Sequence, residues 1–444
     1  MKKKVIAAAL TVSLITGLCT GCGAGGSEVK ETKAKETQAA GTDKENNTDT
    51  AKSTSGDNQV ITFYGFSDWV DSEPYKAVYE QAKAEFEEEN PGYTVELQSD
   101  PWGDWEQKYK TMFASGNPAD VFMVNNPDFP VFANSGNVLD MGDYVEEGYF
   151  DQFFDGVLGM YKWEDRNMAI PFTTDCRVLW YNKDIFKEAG LDPETPPSTW
   201  EELSSMAKQI KEKTGKYGFG MDMGLKELPS ASLFCASGSQ LLNVDADGGI
   251  TPNVNTDEFK GYLQTLLDMK ETYEPDYANL DHHDVAKQFA EGQFGMIIGN
   301  TLTETDIYDK DFWGQALIPT MKSDTPKGSF GGGFGICVSS ESKVPEAAVK
   351  FAQKLCDPKY NANLVSDIPA SQKGLENSEF AKDPNYAVIL DQIQYTKQSM
   401  PKTLYYSEIE AAAYDSVVSV VVGDVSIDDA IADLENKITS ISKQ

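Results

Sequence analysis

Three stretches of different hydrophobic pattern make up the chain. Residues 5–18 are an apolar run of 14 behind Lys2, Lys3 and Lys4, residues 23–58 hold one Val and no Leu, Ile, Phe, Tyr or Trp, and from residue 59 short apolar runs alternate with stretches of helical period. The first run is too short to span a bilayer. Its basic start and the sequence Leu18-Cys19-Thr20-Gly21-Cys22-Gly23 behind it have the layout of a secretory signal. The second stretch cannot bury enough apolar surface to fold and reads as a flexible spacer.

In the third stretch, residues 60–64 predict a strand, 72–90 a helix opened by Pro74 and stopped by Asn90-Pro91-Gly92, and 93–97 a second strand. Residues 104–115 predict a helix closed by Gly116-Asn117-Pro118, and 121–124 a third, fully apolar strand. This βαβαβ order implies an α/β fold with a mostly parallel sheet flanked by helices. Ligands of such sheets bind beyond the carboxyl ends of the strands, here at Ser67, Asp68 and Trp69 and at Asn125 and Asn126. The theme returns with strands at 178–181, 218–223 and 295–299 and helices from Ser198 or Thr199 to 213, over 257–273 and over 283–291. Residues 408–423 and 427–441 predict two C-terminal helices. Gly331-Gly332-Gly333 interrupts an apolar run, which marks a close backbone approach to a ligand or a joint that rotates.

Length and charge narrow the function. The 386 residues from 59 onward exceed what one hydrophobic core usually serves, so two lobes are expected. The whole chain carries −33; the leader contributes +3 and the spacer −2, which leaves −34 on the folded part. Such a body is repelled by nucleic acid and anionic surfaces and favours neutral or cationic ligands. Four cysteines in it, Cys176, Cys235, Cys337 and Cys356, lack metal-ligand spacing and read as buried thiols. The two histidines, His282 and His283, are adjacent, so neither a zinc site nor a His-based triad is expected. Asn243 to Val254 spaces oxygens like a calcium loop but lacks the closing Glu, and reads as a turn. No metal and no cofactor are expected.

Several motifs, weak singly, are specific in their order. They are Phe86-Glu87-Glu88-Glu89-Asn90-Pro91-Gly92, Ala114-Ser115-Gly116-Asn117-Pro118-Ala119-Asp120-Val121-Phe122, Ser135-Gly136-Asn137-Val138-Leu139-Asp140, Leu179-Trp180-Tyr181-Asn182-Lys183-Asp184-Ile185-Phe186, Pro197-Ser198-Thr199-Trp200-Glu201-Glu202-Leu203, Phe289-Ala290-Glu291-Gly292-Gln293-Phe294-Gly295-Met296 and Val344-Pro345-Glu346-Ala347-Ala348. Through them residues 59–444 resemble the family 1 extracellular solute-binding proteins, the receptors of bacterial ABC importers. The leader resembles a lipoprotein signal in which Cys22 takes the lipid, although Cys19 stands where Leu is usual.

The resemblance implies a two-lobed, periplasmic-binding-protein-like fold with a carbohydrate in the cleft, and no enzyme activity. It assigns residues 1–21 to the signal, 22–58 to the lipidated Cys22 and tether, 59–173 with 336–372 to one lobe, and 176–332 with 378–444 to the other. Hinge crossings are expected near 174–177, 331–335 and 368–374. It implies ligand contacts at Ser67, Asp68, Trp69, Asn125, Asn126, Asp175 and Asn300, at Gly332 and Gly333, and from the aromatic pair Tyr405 and Tyr406. Trp102 and Trp313 are further stacking candidates. Leu302, Glu304 and Glu410 stand where maltose binders carry tryptophans, which argues against maltodextrin itself. The implied partners are the permease and its cytoplasmic ATPase, with the chain a lipid-anchored monomer on the outer face of the cytoplasmic membrane. Receptors for a polyol or amino-sugar, and a surface glycosidase, are the competing readings.

Overall fold

The strand expected at 60–64 runs Gln59–Phe66 in a computed structural model that describes residues 58–443 apart from 225–226, 246–247, 302–306, 326 and 365–366 and the side chains at 102, 103 and 106. The leader, Cys22, most of the spacer, Leu302 and Glu304 lie outside the described residues, as does the side chain of Trp102. Gln59–Phe66 pairs in parallel with Tyr93–Asp100 and Val121–Asn125. Phe334–Val338, from much later in the chain, then runs antiparallel to Val121–Asn125, and Ile170–Pro171 completes the sheet.

The late strand is followed by the helix Pro345–Leu355, which closes the first core. Phe63 is fully buried and meets Tyr79 at 5.9 Å and Phe351 at 6.1 Å, so the core uses side chains from both parts of the chain. Burial of each such ring contributes about 1.5–3 kcal/mol. Asp120 stitches the parts at the start of the sheet's central strand. It accepts from the Thr62 backbone and hydroxyl, both at 2.9 Å, and from the Ser342 hydroxyl at 2.6 Å.

A second sheet has the order Trp313–Ala316, Val178–Asn182, Phe294–Gly299, Tyr217–Gly220. It is mixed, with two antiparallel pairings and one parallel. Successive residues of Val178–Asn182 face opposite sides: Val178 and Trp180 join one buried cluster, Leu179 and Tyr181 another. This follows from the two-residue period of a strand and makes both faces apolar. The helix Trp200–Thr214 packs on this sheet and starts where the sequence places it. The Thr199 hydroxyl accepts from Glu202 N at 3.3 Å, while Glu202 accepts from Ser198 N at 2.8 Å, which satisfies donors that the helix end would strand.

The fold thus has two lobes, one core built from Ile61 to Phe172 and Phe334 to Ala370, the other from Cys176 to Ile318 and later segments. Between them three stretches of chain run side by side. Thr173–Thr174 pairs antiparallel with Ile368–Pro369. Phe172 N donates to Phe334 O at 2.8 Å and Arg177 N to Phe330 O at 3.3 Å. On the far side Ser329–Phe330 pairs in parallel with Thr396–Lys397.

The glycine run has a clear steric reason in this ribbon. A Cβ on Gly331 would lie 2.3 Å from Asp175 O, and one on Gly333, whose φ is +133°, would lie 2.2 Å from Thr173 O. The close approach is to the neighbouring backbone, which only glycine permits.

Candidate functional site

A cavity opens beside this ribbon. Its wall is formed by the residues that follow the strands of the second sheet: Asp222 beyond Tyr217–Gly220, and Gly299 and Asn300 at the end of Phe294–Gly299. Arg177 and Phe330 come from the ribbon, Asp281 and His282 from the start of the helix His282–Ala290, and Glu410 from the helix Tyr406–Val421. The Trp180 indole donates to Asn300 O at 3.0 Å and fixes the loop that carries Asn300.

Asp175 and Arg177 are the pivot. Arg177 Nη1 donates to Asp175 Oδ2 at 2.7 Å, and the guanidinium carbon lies 4.9 Å from the centre of the Phe330 ring. Asp175 Oδ1 accepts from Gly332 N. The Asn126 carbonyl oxygen lies close to Gly332, 3.0 Å from where a Cβ would stand, so Asn126, Asp175 and Gly332 meet where the lobes join. Despite its desolvation, the charges of Asp175, Glu227 and Asp222 hold the Arg177 guanidinium above its ordinary range.

The other acids of the wall behave differently. Burial, with Glu227 adding to it, pushes Asp222 up to about 7 against the pull of its backbone hydrogen bonds and Arg177. Burial and then Glu227 push Glu410 up to about 8, opposed by the Tyr406 hydroxyl. Glu227 is raised too, by burial of its carboxyl and by Asp175, although as an exposed residue at the mouth it keeps more water. Near neutral pH the cavity therefore presents both protonated carboxyls, which donate hydrogen bonds, and carboxylates, which accept them. That combination suits a ligand rich in hydroxyls. Among the described residues no group of His, Cys, Asp and Glu is arranged to hold a metal ion.

The remaining sequence candidates divide. Ser67 is half-buried and Asp68 exposed at the start of the short helix Ser67–Val70. Trp69 is 4% exposed and packs against Phe66 at 4.2 Å and Phe334 at 5.2 Å. Asn125 spends its side-chain oxygen on Asp128 N at 3.1 Å. Tyr405 is half-buried; Tyr406 is buried, with its hydroxyl 3.5 Å from Glu410 Oε1. Trp313 packs on Trp180 at 5.2 Å within the second lobe's core. Asp245 accepts from Gly249 N at 2.7 Å in the hairpin between Leu242–Val244 and Ile250–Pro252, where the sequence suggests a turn.

Arg177, Asp222, Glu227, Asp281 and His282 are not among the sequence candidates. For Asp222 a signal existed, because it follows a strand's carboxyl end; the strand read as 218–223 hides it. Glu227 carries no local signal; Glu410 sits in a helix whose apolar pattern speaks of packing, and only the resemblance, which puts it where maltose binders carry a tryptophan, pointed to it.

The chain is 27% identical over 290 residues to the diacetylchitobiose binding protein DasA of Streptomyces coelicolor, covering 61% of this chain and 64% of that one. It is 26% identical over 329 residues to the sn-glycerol-3-phosphate-binding periplasmic protein UgpB of Escherichia coli, covering 68% and 72%. The structure of the sugar-binding protein MalE from Xanthomonas citri superposes with a TM-score of 0.74 at 23% identity, covering 87% and 98%, and shares the fold. The model of the bacterial extracellular solute-binding proteins matches residues 69–362, and the chain belongs to that family, which is one of binding proteins and not of enzymes.

Proposed function

We propose that this chain is the cell-surface receptor of an ABC importer for carbohydrate, an oligosaccharide in particular, held to the membrane by a lipid on Cys22 and a tether over 22–58. The observation that carries the reading is the cavity beside the inter-lobe ribbon, lined by mixed donors and acceptors with Phe330 as an apolar face. The ligand meets Asp175, Asn300, Gly332, Gly333, Tyr405 and Tyr406 on the hinge and second lobe. Ser67, Asp68, Asn125 and Asn126 contribute from the first, with Trp69 packed behind them against Phe66 and Phe334. The lobes, 59–173 with 336–372 and 176–332 with 378–444, close because the ligand gains contacts to both only in the closed state. The closed monomer then delivers its cargo to the permease at the outer face of the membrane.

One observation favours a second reading, an amino-sugar. The cavity wall carries Asp222, Glu227, Asp281 and Glu410, of which burial keeps Glu410 and part of Asp222 protonated near neutral pH, against Arg177, which is already paired with Asp175. That surplus disfavours phosphorylated ligands of the kind named for UgpB and favours neutral or amine-bearing ones. Isothermal titration against neutral oligosaccharides, chitobiose, diacetylchitobiose and sn-glycerol 3-phosphate tests both readings. Binding of a neutral glycan with no heat from the phosphate supports the first. Tighter binding of the free amine than of its acetylated form selects the second, and binding of the phosphate alone overturns both. Metabolic labelling with palmitate, lost in Cys22→Ala, tests the anchor.

A further inference from the structure

The ribbon is not the sole connection between the lobes. Lys402 belongs to the stretch between Thr396–Lys397 and the helix Tyr406–Val421, beside the second lobe's buried Met400 and Tyr406. Its Nζ donates to Gly159 O at 2.9 Å and also to Lys162 O. Both carbonyls flank Met160 and Tyr161, which are buried in the first lobe's core. Gly159 lies in the last turn of the helix Asp155–Met160, where carbonyls lack helical partners and attract a cation. The stem of Lys402 is exposed, but its ammonium end is desolvated between the two carbonyls; with the nearby charge of Lys162, this lowers its pKa against the opposing pull of Asp165.

Two further facts tie this contact to the ligand site. Lys402 stands outside the wall of that cavity, in the stretch that leads to Tyr405 and Tyr406. The same stretch is anchored at the glycine run, since Gln398 Nε2 donates to Gly331 O, and it leads into the helix that carries Glu410.

We propose that Lys402 is a latch between the lobes: its ammonium, carried by the second lobe, grips the Gly159 and Lys162 carbonyls of the first and so sets ligand affinity from outside the cavity wall. The proposal rests on the receptor reading for its effect on affinity but not for its effect on lobe position. A rotation about the ribbon that parts residues 159–162 from residue 402 must break both hydrogen bonds. The latch therefore favours the joined arrangement, and the ligand has less to do in closing the lobes.

The test compares Lys402→Met, which keeps the stem and loses the donor, with Lys402→Arg, which keeps the charge. Lobe separation is read in the ligand-free protein by fluorescence transfer between dyes on Glu88→Cys and Glu212→Cys, both exposed positions, the native body thiols being buried. Affinity for the best-binding glycan is read by titration. Lys402→Met is expected to broaden the ligand-free distance distribution and to raise Kd about 5-fold or more, the scale of a charged hydrogen bond partly exposed to water. Lys402→Arg is expected to restore both toward wild type. An unchanged distance distribution in Lys402→Met overturns the latch, even if Kd rises. A wild-type protein that binds no glycan overturns the receptor reading alone, because the distance measurement still reports on the latch.

Discussion

Alanine at Gly333 tests the steric account of the ribbon. The added Cβ would stand 2.2 Å from Thr173 O, 2.8 Å from Thr173 C and 2.9 Å from Thr174 Cα, all backbone atoms that cannot swing aside as a side chain would. Ordinary contact needs more than a further ångström, and forcing such an overlap typically costs about 1–3 kcal/mol. The φ of +133° is one that a residue with a Cβ rarely adopts, which adds about 1–3 kcal/mol. The two effects together give ~2–6 kcal/mol, or a fall in melting temperature of ~2–7 °C for a body of this size at about 2.1 cal/mol/K of unfolding entropy per residue. At Gly332 the nearest atom to a new Cβ is Asn126 Oδ1 at 3.0 Å, a side chain able to turn, so Gly332→Ala is the matched control. Calorimetric melts of the two variants beside the wild type are the assay. The reasoning fails if Gly333→Ala melts within a degree of wild type, or if Gly332→Ala is the more damaging of the two.

Other consequences follow from the cavity and its supports. Removing the Arg177 charge with Arg177→Gln leaves Asp175 without its ion-pair partner and with the Gly332 N–H, and is expected to cost about 1–3 kcal/mol and weaken ligand binding; a neutral effect on both would deny the pair its role. Trp180→Phe deletes the donor to Asn300 O and is expected to lower affinity more than it lowers stability, which titration and melting separate. Asp222 and Glu410 titrate at about 7 and about 8 against ordinary values of 3.8 and 4.5, so between pH 4 and 8 the folded chain keeps protons that the unfolded chain has released. The contribution of these two groups to stability therefore falls as pH rises through that window, by ~1–3 kcal/mol once water in the cavity is allowed for. Glu227, Arg177 and the Ser230 N–H face Asp222, and Glu227 and Tyr406 face Glu410. Glu410→Gln should flatten the slope of denaturant-derived stability against pH, and an unchanged slope would remove Glu410 as a source.

Elements with their own stop and start signals were legible in the sequence. The helix Ile427–Ile441 has the expected bounds because the Ser426 side chain caps it, accepting from Asp429 N, and apolar residues recur at helical spacing behind that cap. Thr199 fixes the start of Trp200–Thr214 in the same way. What local pattern does not contain is which distant segments meet. The antiparallel return of Phe334–Val338 depends on contacts with residues some two hundred positions earlier. Glu227 was hidden for the same reason, since it acquires its meaning only when the fold brings it near Arg177, Asp222 and Glu410. The glycine run was legible as a place needing glycine, while its closest neighbours, Asp175 O and Thr173 O, were not. Trp69 shows the converse. The chain turns into a helix directly after Phe66, and the ring that could have faced a cleft packs into an aromatic cluster.

The most direct test of the receptor reading is a thermal-shift screen of the mature protein against mono- and oligosaccharides, amino-sugars and polyols, with the sugars analysed afterwards. A ligand at a hundred times its Kd adds about 2.7 kcal/mol to stability. The account expects a large upward shift with one glycan series and intact sugar at the end. No shift with any sugar, or a shift that fades as the sugar is cleaved, would contradict it.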